Sequence, residues 1–260
     1  MASSYEINEN IFKKIVKKIF SYTNYSIIRK DNFNDRSYDK IIEANEEDKV
    51  NMNLAIEFAL CSKANLWSLI QSIRYIADKK IHGDFVECGV FKGGSLGILA
   101  LYAEKYALQC RVLGFDTFED GFSKTALSNN DITIKGLKVE PEKEINNFYP
   151  TKEQVKKNLE KFFSNPKYSP LLIKGDVMNT LKDSKNIPDK ISILRLDTDL
   201  YLTTKIQLEI LYPKLVSGGI LHIDDYGICP GVRTAVDEYF INKKIWLHRI
   251  DLTCRLVIKD

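Results

Sequence analysis

The sequence predicts an α/β fold with a doubly wound, mostly parallel sheet of seven strands and a C-terminal antiparallel hairpin. Two observations support this prediction. Short apolar runs alternate with helical patterns five times after residue 80, and segments 246–251 and 254–258 then resemble a hairpin running antiparallel to the rest. In such a sheet, ligands bind at the carboxyl ends of the strands.

The first strand and the turn after it give the strongest local signal. The run Phe85–Cys88 is apolar apart from Glu87, and it is followed by Gly89, Gly93 and Gly94 before a helical pattern resumes. Glycines let the backbone approach a ligand closely, and a helix start offers unpaired N–H donors. A carboxylate at this point would repel a pyrophosphate, so the pattern favours a cationic ligand such as S-adenosylmethionine.

Composition limits the class of protein. The chain has 260 residues, which suits one α/β domain with an appendage, and 44% hydrophobic and 28% charged residues are ordinary globular values. A net charge of +3, spread among acidic residues, does not call for nucleic acid or membrane as a partner. Five scattered cysteines, a polar N-terminus and the lack of a long apolar run predict a cytoplasmic protein with reduced thiols.

We expect two regions, a helical extension over residues 1–80 and a catalytic domain over 81–260. Residues 9–20 predict a helix with one apolar and one lysine-rich face, which could touch a membrane but better suits packing on the domain or on a second subunit. This favours a homo-oligomer. Residues 52–79 predict one or two further helices.

Later segments complete the predicted pattern. Strands are expected over 111–116, 170–176, 191–197 and 220–225, and a capping box at 151–154 begins a helix. Helices are also expected over 203–215, ended by Ser217-Gly218-Gly219, and over 231–242. The polar stretch within 119–150 is either a lid over the site or a disordered insertion.

Acidic residues end the predicted strands. Asp116 is placed to accept hydrogen bonds from ribose hydroxyls. Asp197, Asp224 and Asp225 follow neighbouring strands, and because close carboxylates repel one another, they are candidate ligands for Mg²⁺ or a similar cation. Asp199 could be a fourth ligand or a base. His222, within the same strand as Asp224, is expected to be structural.

Several ordered motifs resemble the macrocin O-methyltransferase family of bacterial sugar methyltransferases. They are Val86–Ser95, Gly114–Phe118, Arg195–Tyr201, Leu211–Leu215, Gly218-Gly219 and Asp224–Gly227, spread over residues 80–245. Thr198 stands where the family usually has glycine, and the first 50 residues and the 119–150 insertion match less well, which leaves the acceptor open.

The resemblance implies a class I methyltransferase fold, S-adenosylmethionine as donor, and Mg²⁺-dependent transfer to a sugar hydroxyl. It places Glu87 and Gly89 at the methionine end, Asp116 at the ribose and Asp176 near the adenine. It also assigns further cofactor contacts to Gly93, Ser95, Thr117 and Phe118, and metal binding to Asp197, Asp224 and Asp225. We expect Asp197, or else Asp199, to act as the base.

Other classes of protein fit less well. Asp197-Thr198-Asp199 is also a D-x-D, which metal-dependent glycosyltransferases use to hold a nucleotide diphosphate, but Glu87 would oppose that phosphate. A nicotinamide-dependent oxidoreductase lacks its G-x-G-x-x-G. A non-catalytic binding module leaves the acidic residues unexplained.

Overall fold

The computed structural model describes residues 40–121, 126–132 and 149–260. The predicted helix over 9–20 and most of the 119–150 insertion therefore lie outside the described residues. Its helices are α1 (Glu46–Ile56), α2 (Lys63–Lys79), α3 (Gly94–Lys105), α4 (Lys152–Leu159), α5 (Val177–Thr180), α6 (Tyr201–Ile210) and α7 (Pro230–Phe240). Its strands are β1 (Asp84–Cys88), β2 (Val112–Asp116), β3 (Leu171–Lys174), β4 (Ile191–Leu196), β5 (Leu215–Ile223), β6 (His248–Arg249) and β7 (Arg255–Ile258).

The strands form one seven-stranded sheet in the order β3-β2-β1-β4-β5-β7-β6, which confirms the predicted fold class. β1 to β5 are mutually parallel, and every residue of β4 is buried because helices cover both faces. The strand order changes direction between β1 and β4. This switch point is where a doubly wound sheet opens a crevice for a ligand.

The end of the sheet confirms the predicted C-terminal antiparallel hairpin. β7 runs antiparallel to β5, and β6 pairs antiparallel with β7, so β6 points the same way as β1 to β5. A hairpin reverses direction once, so only the strand that pairs with β5 can oppose the parallel set.

The helix predicted over 203–215 is present, but its C-terminal end was predicted wrongly. α6 ends at Ile210, a 3₁₀ turn containing Pro213 follows, and β5 already begins at Leu215. Proline disfavours helical conformation in the residue before it and cannot donate to the helix. Gly218 lies inside β5 with φ of 74° and donates its N–H to the Lys259 carbonyl at 2.7 Å, so the two glycines mark an irregularity in the strand and not a helix stop.

Two helices precede β1. Asn45 caps α1 and Ser62 caps α2, each accepting from a backbone N–H of the first turn. The apolar face of α2 is buried in one hydrophobic cluster with β1 and α3 through Leu66, Leu69, Ile70, Ile73 and Ile76. Residues 41–260 form one compact unit, so the second half of the expected N-terminal extension shares the core of the sheet. Among the described residues, no helix is long and apolar enough to cross a lipid bilayer.

A buried aspartate joins these helices. The Asp48 carboxylate on α1 accepts hydrogen bonds at 2.6 Å from Tyr102 Oη on α3 and at 2.6 Å from an Arg74 guanidinium nitrogen on α2. Burial alone would raise the pKa of Asp48, but these two hydrogen bonds and the charge of Arg74 lower it below its usual value of 3.8. Asp48 therefore stabilises the fold in its ionised form.

We expect Asp48→Asn to lower the free energy of unfolding at pH 7 by about 2 kcal/mol, since it weakens two hydrogen bonds to a charged group. The stabilisation by Asp48 is complete above the unfolded pKa and is lost as the pH falls through the lower folded pKa. The difference between wild type and variant in urea unfolding should therefore shrink below pH 4. A difference that stayed constant from pH 7 to pH 3 would contradict this role.

Gly89, the first glycine of the turn after β1, lies where no larger residue fits. It has φ of 89°, and a Cβ at this position would lie 1.6 Å from the Asp197 carbonyl oxygen. Here the backbone at the end of β1 lies against the residue that follows β4, and the Asp197 N–H donates to the Cys88 carbonyl at 2.8 Å. The glycine is thus required by backbone–backbone contact, whatever its role toward a ligand.

We expect Gly89→Ala to lower the free energy of unfolding by about 3 kcal/mol, because the clash is with backbone. Gly93→Ala is a matched control, since Gly93 has a similar φ of 97° but its added Cβ would meet only side chains, the nearest Leu159 at 3.2 Å. In the same urea titration, Gly93→Ala should lower the free energy of unfolding by less than Gly89→Ala does. Equal losses would mean that backbone strain alone, and not the contact with Asp197, requires Gly89.

Candidate functional site

A cavity of about 440 Å³ opens at the carboxyl ends of β1, β2, β4 and β5. It meets the sheet at the switch point between β1 and β4, where the sequence predicts a ligand. The predicted site residues that line it are Gly89, Ser95, Asp116, Thr117, Asp176, Asp197, Asp199, Asp224 and Asp225. The remaining three, Glu87, Gly93 and Phe118, are placed differently.

Asp116 organises the turn after β1. Its Oδ2 accepts the backbone N–H groups of Val90 and Phe91 at 2.6 and 2.9 Å, and its Oδ1 accepts that of Phe118 at 2.5 Å. Phe91 and Phe118 both have positive φ, so the carboxylate holds two strained positions in place. Asp116 also lines the cavity, where Oδ1 keeps capacity for another donor.

Glu87 lies beneath the cavity floor. Its side chain is fully buried, and its Oε1 accepts from the Arg195 guanidinium at 2.7 Å and from Ser95 Oγ at 2.5 Å. Glu87 was predicted to face a cationic ligand, but in the structure the cation beside it is Arg195 of the same chain. Burial raises the pKa of Glu87, and Arg195 and Ser95 oppose that shift. In the part of the chain that the structure describes, Glu87 Oε2 is buried and accepts no hydrogen bond.

The register of the sheet brings these charges together. Glu87 on β1, Arg195 on β4 and His222 on β5 are direct neighbours across three parallel strands. Side chains two residues apart on a strand share a face, so Asp197 and Asp224 follow Arg195 and His222 on the same side of the sheet. One buried row of the sheet thus leads into the acidic rim.

Arg195 is the centre of this arrangement, and the sequence analysis gave it no role. It is 1% exposed, and its guanidinium contacts Glu87 at 2.7 Å, Asp197 at 2.6 Å and Asp224 at 2.6 Å. The carboxylates raise the pKa of Arg195 well above its usual value against the opposing effect of burial. A charged residue within the strand Ile191–Leu196, which is apolar apart from Ser192, was the available signal.

Asp197, Asp224 and Asp225 converge as predicted. Each can offer a carboxylate oxygen within 4.8 Å of the others, and Asp225, Asp199 and Cys229 form a second such group. We call Asp197, Asp199, Asp224 and Asp225 the acidic cluster. Among the described residues, the Arg195 guanidinium pairs with two of its members and also with Glu87, so these five carboxylates exceed the positive charge that is paired with them.

The pKa shifts reflect this excess. Burial raises the pKa of Asp225 to about 9, and the nearby Asp199 adds to the rise. Burial also raises the pKa of Asp199 to about 6, and that of Asp197 well above its usual value in spite of Arg195. Asp225 Oδ2 is buried and has no hydrogen-bond partner among the described residues. An orphaned oxygen among converging carboxylates is the donor set that Mg²⁺ or Mn²⁺ prefers, so the residues fit a divalent cation.

Backbone strain is concentrated in the same place. Asp199 and Asp225 have φ of 61° and 60°, a region that non-glycine residues rarely occupy. The Leu200 N–H bonds the Thr198 carbonyl at 2.8 Å, which closes a tight turn around Asp199. Such strain persists only where the surrounding structure holds it, and it is typical of functional sites.

Two residues that the sequence analysis missed hold Asp224 in position. Asn65, fully buried on α2, donates its Nδ2 to Asp224 Oδ2 at 2.7 Å. Thr253, before β7, donates its Oγ1 to Asp224 Oδ1 at 2.6 Å. Asn65 and Thr253 come from segments far from β5 in the chain, so no local pattern could reveal them.

The other predicted cofactor residues have clear positions. Asp176 caps α5 by accepting the Met178 N–H at 2.9 Å, and it lines the cavity together with Thr117. Gly93 begins α3 against Leu159. Phe118 is 1% exposed and packs in the hydrophobic core. Gly93 and Phe118 thus shape the loops around the cavity.

His222 is structural, as predicted. It is fully buried, and its Nε2 lies 2.9 Å from Ser72 Oγ on α2. Burial, with a smaller effect from the nearby Arg195, lowers the pKa of His222 to about 3. The imidazole is therefore neutral and belongs to the same buried row as Glu87 and Arg195.

Comparison with known proteins gives a family and a set of relatives. The model of the macrocin-O-methyltransferase (TylF) family matches residues 4–258. A demethyldecarbamoylnovobiocin O-methyltransferase from Streptomyces niveus is 28% identical over 67% of this chain and 64% of its own. An 8-demethyl-8-(2,3-dimethoxy-alpha-L-rhamnosyl)-tetracenomycin-C 4'-O-methyltransferase from Streptomyces olivaceus is 29% identical over 61% of this chain and 58% of its own. The chain thus spans less than two thirds of the length of either relative.

Solved structures share the fold. The O-methyltransferase NovP superposes with a TM-score of 0.63 at 22% identity, covering 78% of this chain and 82% of its own. An O-methyltransferase from Bacillus cereus, solved in complex with SAH, superposes with a TM-score of 0.51 at 12% identity, covering 85% and 94%. At these identities the likeness concerns the fold alone.

Proposed function

The chain belongs to the macrocin-O-methyltransferase family, and we propose that it transfers a methyl group from S-adenosylmethionine to a sugar hydroxyl with the help of Mg²⁺. The observation that carries the proposal is the acidic cluster at the rim of the switch-point cavity, with negative charge that Arg195 leaves uncompensated. The rhamnosyl acceptor in the name of the tetracenomycin relative supports a sugar, and the SAH complex of the Bacillus cereus protein supports the donor.

The donor would lie along the carboxyl ends of β1 and β2. Gly89 and Ser95 line the part of the cavity nearest β1, with Glu87 behind Ser95 supplying negative potential toward a cationic methionine end. Asp116 and Thr117 lie at the end of β2, where ribose hydroxyls can donate to Asp116 Oδ1. Asp176 lies beyond β3, on the side proposed for the adenine.

A divalent cation would be held by Asp197, Asp224 and Asp225. When bound, it would supply positive charge that acidifies a sugar hydroxyl and stabilises the developing alkoxide. The protein's own contribution is to keep the three carboxylates in position. Arg195, Asn65 and Thr253 fix Asp224, and Arg195 also fixes Asp197.

Asp199 suits the role of base better than Asp197 does. The sequence analysis put Asp197 first, but Asp197 Oδ2 is engaged by Arg195 at 2.6 Å. Asp199 lines the cavity at the tip of a strained turn and lies outside the ion pairs of Arg195. We therefore propose that the Asp199 carboxylate acts as the base and accepts the proton of the attacking hydroxyl, with Asp197 as the alternative.

The test is a methyl-transfer assay with labelled S-adenosylmethionine over a panel of glycosides and nucleotide sugars, with Mg²⁺ or with EDTA. We expect transfer to at least one sugar and its loss in EDTA. Calorimetry adds a readout that needs no acceptor, since SAH should bind to the wild type. Binding of a nucleotide sugar without any binding of SAH would replace this proposal with a glycosyltransferase that uses Asp197-Thr198-Asp199.

A further inference from the structure

A short segment distant in sequence closes one side of the cavity. Residues 126–132 are described between two stretches that are not, and Ala126 within them is fully buried and lines the cavity. Asp131 is the polar anchor of this segment and is only 3% exposed. Its Oδ2 accepts from the backbone N–H of Ser128 at 2.7 Å and from Ser128 Oγ at 2.8 Å, so the segment is folded around this carboxylate.

The other oxygen of Asp131 reaches a different element. Asp131 Oδ1 accepts the backbone N–H of Tyr201, the first residue of α6, at 2.7 Å. The residue before it, Leu200, has no polar side chain with which to cap this helix. Asp131 therefore serves as the N-cap of α6 from outside the helix. Its negative charge also suits the positive end of the helix dipole.

A glycine makes room for this contact. At Gly231, in the first turn of α7, an added Cβ would lie 2.4 Å from Asp131 Oδ1 and 3.2 Å from the Asn130 carbonyl oxygen. Neither φ nor a turn explains this glycine, since Gly231 is not among the positive-φ glycines. Two elements, α6 and α7, are thus shaped to receive one carboxylate.

The contact with Tyr201 bears on catalysis because Asp199 lies two residues earlier. The turn around Asp199 is strained, and strained turns keep their conformation only when flanking residues are held. After Asp199, the Leu200 N–H donates to the Thr198 carbonyl and the Tyr201 N–H donates to Asp131. Thr203 and Gln207 of α6 also hold the turn through Thr198. Asp131 differs from these contacts because it belongs neither to the turn nor to α6, so it ties both to segment 126–132.

We propose that Asp131 is a positioning residue that couples segment 126–132 to the turn carrying Asp199. Through this contact, the wall of the cavity at Ala126 and the base Asp199 take up their places together. The inference rests on the proposed methyl transfer for its kinetic consequence, but the contact between Asp131 and Tyr201 can be measured without any activity.

Three variants separate the hydrogen bond from charge and from general damage. Asp131→Ala removes both acceptor oxygens, whereas Asp131→Asn keeps one oxygen that can accept from Tyr201 but loses the charge and the acceptor for Ser128. Gly231→Ala displaces Asp131 from a different element without changing its chemistry. Ser128→Ala is the control, because it removes a contact on Oδ2 and leaves the bond from Tyr201 to Oδ1.

We expect Asp131→Ala and Gly231→Ala to lower kcat/KM for the acceptor at least tenfold, because the reaction is much slower when a catalytic group is misplaced. The affinity for SAH should stay within twofold of the wild type. Amide hydrogen exchange at Tyr201 should become faster in both variants. Ser128→Ala should resemble the wild type in all three measurements, and Asp131→Asn should fall between the wild type and Asp131→Ala.

Two results would overturn the inference. One is unchanged exchange at Tyr201 in both Asp131→Ala and Gly231→Ala. The other is faster exchange with kcat/KM still within twofold of the wild type, which would make the contact merely structural. If the wild type transfers no methyl group at all, the proposed function fails, while the exchange result still decides whether Asp131 holds Tyr201.

Discussion

Arg195→Met should be the most destabilising single substitution in the site, lowering the free energy of unfolding by about 3–5 kcal/mol, as removal of one partner from a buried ion pair typically does. The arginine is 1% exposed, and its loss would leave Glu87, Asp197 and Asp224 without their cation. Urea unfolding followed by circular dichroism measures the change.

Two comparisons make this result specific. Arg111→Met removes an ion pair with Asp84 in which the arginine side chain is 61% exposed, and it should cost less than about 1 kcal/mol. Combining Arg195→Met with Glu87→Gln should recover part of the loss, because one uncompensated carboxylate becomes neutral. If Arg195→Met costs no more than Arg111→Met, the buried charge network does not stabilise the fold as we describe.

Asp225→Asn should reduce turnover by about a hundredfold or more, the usual effect of removing an electrostatic stabiliser of the reaction. Its thermal stability in EDTA should not fall below that of the wild type. Burial and the nearby Asp199 raise the pKa of Asp225, so without a cation its ionised form is disfavoured in the folded protein, and asparagine removes that unfavourable charge. If Asp225→Asn is as stable as the wild type but has lost turnover, the carboxylate is needed for the reaction and not for folding.

A second readout does not depend on activity. Mg²⁺ or Mn²⁺ should raise the melting temperature of the wild type, since a ligand that binds only the folded state stabilises it, and this shift should be smaller in Asp225→Asn. Asp78→Asn, the same change at an exposed position on α2, is the control for turnover and for the shift. Wild-type turnover of Asp225→Asn in EDTA would refute the proposed role of the cation.

The succession of strands along the chain and the acidic residues at their ends were predictable because both depend on local patterns. Apolar runs that end in Asp116, Asp197 or Asp224 identify strands, and parallel strands bring their carboxyl ends to one edge of the sheet. Where local patterns have two meanings, the prediction failed. Gly218-Gly219 reads as a helix stop, yet it lies within β5, because Pro213 had already ended the helix and the pairing with Lys259 requires a positive φ.

The sequence by itself determined that this chain forms a doubly wound sheet with carboxylates at the carboxyl ends of its strands. Hydrophobic periodicity and the residues that end each strand can be recognised in short stretches of sequence. Only the tertiary structure decided what those carboxylates contact. The register of β1 against β4 paired Glu87 with Arg195, and the packing of α2 brought Asn65 to Asp224. Such contacts join residues that lie more than a hundred positions apart, and they depend on how strands and helices meet in space, which no stretch of sequence specifies by itself.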